Sequence, residues 1–168
     1  MPQHPASQSD LLLLKDCSVK RTRASGPGGQ HRNKVETAIV ITHIPTGIIG
    51  QASEARSQNQ NKTMAIGRLK TNLAVAFRIE KTRKSAASEQ WNSRLKNKKI
   101  EVSHKHPDFP ALLAEALDFL QFEEFNPAAA AKTLGCSTSQ LVKFIKRNSQ
   151  AISMVNTQRR SLGLKKIS

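Results

Sequence analysis

Hydrophobic and polar positions in the first half of the chain predict a short sheet followed by one long helix. Residues 17–23 alternate loosely between apolar and polar side chains, and residues 37–44 are rich in β-branched side chains, so we expect both segments to form strands. A turn sequence at residues 45–47 and the apolar pair at residues 48–49 then indicate a hairpin.

The long helix is predicted to begin near Ser57, which forms a capping box with Gln60. Apolar residues then recur at helical spacing to about residue 79, with Lys and Arg residues between them. The apolar stripe comprises Ile66, Leu69, Leu73 and Phe77. This pattern is typical of an amphipathic helix that lies against other structure.

Two segments carry no clear periodic pattern. Residues 1–8 are polar, and we expect them to be disordered. Residues 81–106 are strongly basic and contain small polar residues at 85–88, which predicts a linker or a frayed helix. Trp91 in this segment is compatible with an anchor to a neighbouring element and equally with a half-exposed side chain.

A helical pattern returns at residue 107. Asp108 is expected to cap a helix whose apolar face runs to Leu120. A second helix is expected to open at Pro127 and to end at Gly135, and a third to begin after Ser137. The last two fit a helix-turn-helix pattern, but many αα-hairpins look the same.

These patterns together predict an α+β fold with a helical extension. Residues 1–80 are expected to form a small mixed sheet with a long packed helix. Residues 81–106 are expected to form a basic linker. Residues 107–168 are expected to form a helical C-terminal unit with a helix-turn-helix-like pattern and a basic tail.

The charge of the chain changes this picture by indicating a partner. The formal net charge is +15 and the pI is about 10.4, which favours a polyanion, either nucleic acid or an anionic membrane surface. Residues 107–131 contain five acidic residues and no Lys or Arg, whereas residues 132–168 contain eight Lys or Arg and no acid. This asymmetry suggests two faces with different partners.

No membrane segment or metal site is expected. The apolar run at residues 11–14 is far too short to span a bilayer, and no secretion signal precedes it, so a cytoplasmic location is predicted. Cys17 and Cys136 stand far apart without a CxxC partner, and the histidines do not cluster at ligand spacing. We therefore expect neither a metal nor another cofactor.

The most informative segment is residues 23–34, which read RASGPGGQHRNK. Three glycines and a proline at residues 26–29 interrupt any helix or strand and predict a loop with basic residues at both ends. Gln30 and His31 stand where phosphate-binding loops and dinucleotide fingerprints need other residues, so neither pattern is present. The only nearby acid is Glu36, so catalysis here would depend on backbone groups, an amide and water.

Residues 23–31 resemble the GGQ loop of bacterial class I peptide chain release factors and of their stand-alone relatives that rescue stalled ribosomes. The resemblance covers residues 16–80 and agrees with the strand, loop, hairpin and helix predicted above. It continues through separate blocks in the same order, namely Asn33-Lys34, residues 38–47, Arg56-Ser57-Gln58, Asn61-Lys62 and Ala65.

The resemblance implies hydrolysis of the ester that joins a nascent peptide to tRNA, in the ribosomal peptidyl transferase centre. The implied catalytic residues are Gly28, Gly29 and Gln30, with Gly26 and Pro27 shaping the loop. The main-chain N–H of Gln30 would stabilise developing negative charge, and its side chain would position water and exclude larger nucleophiles. Gln30 is also the implied site of N5-methylation by a dedicated glutamine methyltransferase.

Basic residues of the matched blocks are candidate contacts to RNA phosphates. They are Arg23, Arg32, Lys34, Arg56 and Lys62. Each of them could equally be a solvated surface charge. Arg32 departs from the apolar residue that is usual after the His of the family.

The length of the chain leaves no room for the stop-codon-reading domains of that family. We therefore expect codon-independent release, as in ribosome rescue, by a monomer whose partners are the ribosome, its peptidyl transferase RNA and peptidyl-tRNA. The alternative is a non-catalytic RNA- or DNA-binding module that uses the helix-turn-helix-like unit. A third interpretation, a hydrolase with a helical docking unit, accommodates both sets of residues and is preferred.

Overall fold

The computed structural model describes residues 3–23 and 37–167, and these form an α+β structure, as predicted. The helices are α1 (Asp10–Lys15), α2 (Gln58–Ala76), α3 (Glu89–Ser93), α4 (Phe109–Phe122), α5 (Pro127–Thr133), α6 (Thr138–Ile145) and α7 (Ser149–Ser161). The strands are β1 (Cys17–Thr22), β2 (Ala38–His43), β3 (Ile49–Ala52), β4 (Leu95–Lys96) and β5 (Lys99–Ile100).

Strands β1, β2 and β3 form one sheet in that order. The predicted hairpin is confirmed, and β2 turns into β3 through Gly47, whose φ is +70°. We expected a small mixed sheet, and every described strand pairing is antiparallel. Ile39 and Ile41 of β2 are buried, whereas β1 is exposed along most of its length, because α2 covers β2 and β3.

Helix α2 confirms the predicted long helix. The Ser57 hydroxyl accepts a hydrogen bond from the N–H of Gln60 at 3.4 Å, which satisfies a donor of the first turn. Ala65, Leu69 and Leu73 lie on the face towards the sheet and are fully buried. This stripe is the contact by which the helix holds the sheet.

Strand β3 approaches α2 at Gly50 so closely that no side chain fits between them. A Cβ at this position would lie 2.3 Å from the carbonyl oxygen of Ala65 and 2.4 Å from the nitrogen of Leu69. Both are main-chain atoms of a helix and cannot rotate away. Glycine is therefore required here by the close approach of two backbones.

Residues 3–8 are ordered, which corrects the expectation of disorder for this part of residues 1–8. The buried His4 accepts a hydrogen bond at Nδ1 from the N–H of Ala6 (3.0 Å), at the start of the 3-10 turn Pro5–Ser7. Its Nε2–H donates to the carbonyl oxygen of Phe77 at 3.1 Å. Local polarity could not reveal this anchor, because the partner lies far along the chain.

Residues 81–106 contain α3 and the β4–β5 hairpin, which corrects the expectation of a linker or frayed helix. Trp91 is 1% exposed, and its indole N–H donates to the carbonyl oxygen of Leu134 at 2.8 Å. Its ring also meets that of Phe144 edge-on, with centroids 5.7 Å apart. This buried side chain ties the segment to the C-terminal helices.

Helix α4 is the centre of the C-terminal part and shares a core with α2. It contacts α2 along one side and α5 and α6 along another, and its buried residues belong to the same cluster as those of α2. This burial includes Leu112, Leu113, Leu117 and Leu120. The division of the chain at residues 80 and 107 stays a prediction, and the structure joins the two outer parts through one core.

A buried carboxylate connects the end of α2 to α4. Asp118 is 2% exposed and accepts hydrogen bonds from the N–H of Ile79 (3.1 Å) and from Arg78 (3.2 Å). The ammonium group of Lys81 lies 3.9 Å from the same carboxylate. The three groups fix the direction in which the chain leaves α2.

The predicted helices at the C-terminal end are confirmed, and α7 adds one that the pattern had not delimited. Gly135, with a φ of +69°, lies in the turn between α5 and α6. The basic tail folds back on α7, because Asn156 and Ile167 exchange two hydrogen bonds of 2.8 and 3.2 Å. None of the described helices is both long and apolar enough to cross a bilayer.

Candidate active site

The residues that the sequence assigned to catalysis lie outside the described residues. They are Gly28, Gly29 and Gln30, together with the loop-shaping Gly26 and Pro27 and the basic Arg32 and Lys34. The possible methylation of Gln30 also stays a prediction. The structure describes the two residues that border this segment, Arg23 and Thr37, and the elements that hold them.

The two borders lie side by side at one end of the sheet. β1 and β2 pair in register from Cys17 opposite His43 to Thr22 opposite Ala38. Partners in an antiparallel pair have Cα atoms about 5 Å apart. The connection between Arg23 and Thr37 therefore leaves the sheet and returns to it at adjacent positions.

Asn61 in the first turns of α2 makes contact with this end of the sheet. Its side chain is completely buried, and Nδ2 donates to the carbonyl oxygens of Thr37 (2.7 Å) and Ala55 (2.9 Å). Its Oδ1 accepts from the N–H of Ala55 at 2.9 Å. One amide of α2 thus joins Thr37, the residue before β2, to the β3–α2 connection.

Sequence reasoning did not assign Asn61 a role, although a signal for it was present. The buried stripe of α2 contains Ala65, Leu69 and Leu73 at intervals of four residues, and one more step towards the N-terminus reaches Asn61. A polar residue on a buried stripe needs hydrogen-bond partners. The pattern predicts that it has some but cannot say which segment supplies them.

The three described basic candidates, Arg23, Arg56 and Lys62, are exposed. Arg56 follows Ala55 and Lys62 follows Asn61, so both adjoin residues of the amide contact. Arg23 follows the last residue of β1 at the same end of the sheet. We call the adjacent borders of the sheet at Arg23 and Thr37 the stem. The fold therefore brings these three basic residues to the neighbourhood of the stem, where exposed cations can contact phosphate.

A carboxylate in the same connection is already neutralised by a cation. Glu54 and Arg68 form an ion pair of 2.5 Å. The hydrogen bond from Arg68, together with one from the N–H of Ser53, lowers the pKa of Glu54 to about 2. Glu54 is thus ionised at neutral pH, and Arg68 offsets its repulsion of an approaching phosphate.

Residues 3–23 and 37–167 contain no group of three His, Cys, Asp or Glu side chains arranged to hold a metal ion. Cys17 and Cys136 are both free thiols. Burial raises the pKa of Cys136 to about 11, which makes this thiol a poor nucleophile at neutral pH.

Comparison with known proteins shows a family match that includes this part of the chain. Residues 11–108 match the RF-1 domain. The chain is 38% identical over 119 residues to the chloroplastic peptide chain release factor PrfB1 of Arabidopsis thaliana, an alignment that covers 62% of this chain and 26% of that protein.

Two bacterial proteins show the same relationship over shorter segments. Peptide chain release factor 2 of Aliarcobacter butzleri is 52% identical over 71 residues, which cover 42% of this chain and 19% of that protein. Peptide chain release factor 1 of Delftia acidovorans is 39% identical over 87 residues, which cover 52% and 24%. The chain thus spans about a quarter or less of the length of each of these relatives.

Proposed function

The chain belongs to the family of class I peptide chain release factors that carries the RF-1 domain, and on this premise we propose that it releases nascent peptides on the ribosome by hydrolysing the peptidyl-tRNA ester. The observation that carries the proposal is the match over residues 11–108. This range includes Gly28, Gly29 and Gln30 and the two strands that flank them.

The proposed reaction needs water and no cofactor. The water oxygen attacks the ester carbonyl carbon, the bond from that carbon to the ribose oxygen breaks, and a proton passes to the ribose oxygen. The main-chain N–H of Gln30 donates to the negative charge that develops, and the Gln30 side chain positions the water. Gly28 and Gly29 allow the backbone to approach RNA closely.

The exposed cations around the stem are proposed to bind ribosomal RNA phosphates. Arg23, Arg56 and Lys62 are supported by their position next to the stem, and Arg32 and Lys34 by sequence alone. Phosphate contacts supply affinity that falls as salt concentration rises. We assign these residues to docking and not to the chemical step.

We further propose that release does not require a codon. The residues beyond the RF-1 match form α4–α7, and this part exposes several cations, including Lys132, Lys143, Lys146, Arg160, Lys165 and Lys166. Contacts to phosphates position a protein without reading base sequence. A unit of this kind supports docking on RNA that is indifferent to the mRNA codon.

The remaining assignments are part of the same proposal. The chain acts as a monomer, its partners are ribosomal RNA and peptidyl-tRNA, and a glutamine methyltransferase modifies Gln30. The cytoplasm is the proposed location, and one relative carries the word chloroplastic in its name.

The test is peptide release by the full chain from ribosomes that hold a labelled peptidyl-tRNA. We expect release from ribosomes on truncated mRNA well above the spontaneous rate, and equal rates for stop and sense codons on intact mRNA. No release above background, with unmodified and with Gln30-methylated protein, would contradict the hydrolase. Release only at stop codons would contradict codon independence alone.

A second candidate is a nucleic-acid-binding module without catalysis. It is favoured by the helix–turn–helix arrangement of α5 and α6, on which Lys132 and Lys143 are exposed, with the exposed Lys146 directly after α6. It predicts salt-dependent, sequence-selective binding of the full chain to duplex DNA in the absence of ribosomes. Non-selective weak binding to duplexes together with ribosome-dependent release would reject it.

A further inference from the structure

We propose that Asn61 is a positioning residue for peptide release, because its amide fixes the point at which the chain returns from residues 24–36 to the sheet. The inference rests on the proposed function for its effect on release. Its structural part concerns only described residues, namely Thr37, Ala55 and Asn61.

The sheet alone does not hold the Thr37 carbonyl group. The last pair of the β1–β2 ladder is Thr22 opposite Ala38, so Thr37 lies one residue beyond the ladder. Thr37 is nevertheless buried, and its carbonyl oxygen accepts from Nδ2 of Asn61 at 2.7 Å. Asn61 thus extends the anchoring of this stem by one residue, towards the catalytic segment.

The orientation of the amide is set by Ala55. Oδ1 of Asn61 accepts from the N–H of Ala55 and Nδ2 donates to its carbonyl oxygen, both at 2.9 Å. This two-point contact fixes the plane of the amide and leaves the second Nδ2 hydrogen for Thr37. The stem is therefore tied to the β3–α2 connection as well as to α2.

Few side chains could replace this amide. An aspartate would keep the acceptor for the Ala55 N–H but would lose both donors and turn a negative charge towards two carbonyl oxygens. An alanine would leave the buried carbonyl oxygen of Thr37 and the half-buried N–H and carbonyl oxygen of Ala55 without this partner, which is costly. The site requires two donors and one acceptor in a plane, and asparagine supplies them.

Asn72 on the same helix provides a matched control. Its Nδ2 donates to the carbonyl oxygen of Ile49 in β3 at 2.7 Å, so it too ties α2 to the sheet. It lies about three turns further along α2, and its contact involves neither Thr37 nor Ala55. Loss of this single, more exposed bond removes a contact between α2 and the sheet without touching the stem.

The experiment compares Asn61→Asp and Asn72→Asp in single-turnover release across a range of protein concentrations. For Asn61→Asp we expect the rate constant at saturation to fall at least about tenfold, because a shifted stem misplaces the reacting groups. The half-saturating concentration should change by less than about threefold, because the phosphate contacts remain. Asn72→Asp should stay within about twofold of the wild type in both quantities.

Trypsin cleavage after Arg32 and Lys34 supplies a readout that does not need ribosomes. We expect faster cleavage at these bonds in Asn61→Asp than in the wild type, and no change in Asn72→Asp. If Asn61→Asp does not fold by circular dichroism, the uncharged Asn61→Ser takes its place in both assays. Its hydroxyl group can donate to only one of the two carbonyl oxygens.

The outcomes separate this inference from the proposed function. The positioning role would be overturned if the Asn61 variant reached the wild-type rate constant at saturation, or if only its half-saturating concentration changed. Equal losses of rate in the Asn61 and Asn72 variants would overturn it as well. Absence of release by the wild type would overturn the proposed function and with it the catalytic consequence. Faster cleavage only in the Asn61 variant would then still establish the anchor at Thr37.

Discussion

The two ends of α2 are both tied down by buried polar side chains, but of different kinds. At the N-terminal end, the uncharged amide of Asn61 bonds to main-chain groups of Thr37 and Ala55. At the C-terminal end, the charged Asp118 of α4 meets Arg78 and the N–H of Ile79. The first contact holds Thr37, which borders the proposed catalytic segment, and the second joins α2 to the C-terminal helices.

We expect this difference to separate residues that matter for the release rate from residues that matter for stability. An amide that bonds to main-chain groups defines a position with little dependence on pH or salt. A buried ion pair must overcome the desolvation of both charges, and its loss leaves the surviving charge without a partner. We therefore expect changes at the N-terminal end to lower the release rate, and changes at the C-terminal end to lower stability.

The largest expected effect on stability comes from the contact of β3 with the middle of α2, because moving α2 there would disturb the contacts at both of its ends. Gly50→Ala would place a Cβ within 2.3 Å of the Ala65 carbonyl oxygen, so β3 and α2 must move apart. We expect a loss of about 3 kcal/mol in the free energy of unfolding, measured by urea denaturation.

Gly67→Ala is the control for this change. Gly67 lies on the exposed face of α2, and an added Cβ would meet nothing within 4 Å. Because alanine favours helix more than glycine does, the free energy of unfolding of this variant should rise by up to about 1 kcal/mol. Equal stability of the two variants would contradict the close packing of β3 on α2.

The next largest effect is expected at the C-terminal end of α2. Asp118→Ala removes the carboxylate that faces Arg78 and Lys81. We expect the free energy of unfolding to fall by about 2–3 kcal/mol. Arg78 retains bonds to the carbonyl oxygens of Ala74 and Ala114, which limits the loss. At a temperature where the variant is folded, the saturating release rate should lie within about twofold of the wild type. A tenfold fall in that rate would contradict the proposal that the C-terminal end of α2 affects stability and not the release rate.

The pH dependence of stability tests the same end of α2. Burial lowers the pKa of His4 to about 4, and the cations of Arg78 and Lys81 act in the same direction. The usual histidine pKa is 6.5, so between about pH 4 and 6.5 the unfolded chain binds more protons and stability rises with pH.

His4→Gln removes this group and so isolates its contribution. The stability advantage of the wild type over the variant should grow by about 2 kcal/mol from pH 4 to pH 6.5. Burial raises the pKa of Asp118 to about 6, so the contribution of Asp118 to stability falls as the pH rises. This contribution is present in both proteins and cancels in the difference between them. A difference that stays constant over this pH range would contradict the burial of a neutral His4.

The periodic elements could be predicted from sequence because local spacing determines them. The β-branched run of β2 and the apolar stripe of α2 were found in this way. Contacts between distant residues could not be found. His4 bonds to a group 73 residues away, and Trp91 to one 43 residues away, so neither polar residues 3–8 nor basic residues 81–106 revealed their order.

The candidate site shows the same limit. The motif with Gly28, Gly29 and Gln30 was recognisable from residue identity and order alone, and so were the basic residues beside it. Asn61 needed the three-dimensional contact, because its partner Thr37 lies 24 residues earlier in the chain. The sequence thus indicated the proposed chemistry, and the structure indicated which residue holds the border of the segment at Thr37.

The smallest expected effect belongs to a single surface charge at the N-terminal end. Lys62→Gln should raise the half-saturating concentration a few-fold and lower the slope of log affinity against log salt by about 0.7–0.9, with the saturating rate unchanged. Lys84→Gln, an exposed lysine beyond the C-terminal end of α2, is the control and should change neither quantity. Equal effects of both changes would indicate attraction by net charge rather than a contact at the stem.

The most direct test of the central claim is the saturating rate of peptide release from ribosomes on truncated mRNA, for the wild type and for Gly29→Ala. The account predicts release by the wild type and a rate lower by about a hundredfold in the variant, because the catalytic backbone is misplaced. A wild-type protein without release, or a variant as fast as the wild type, would contradict it.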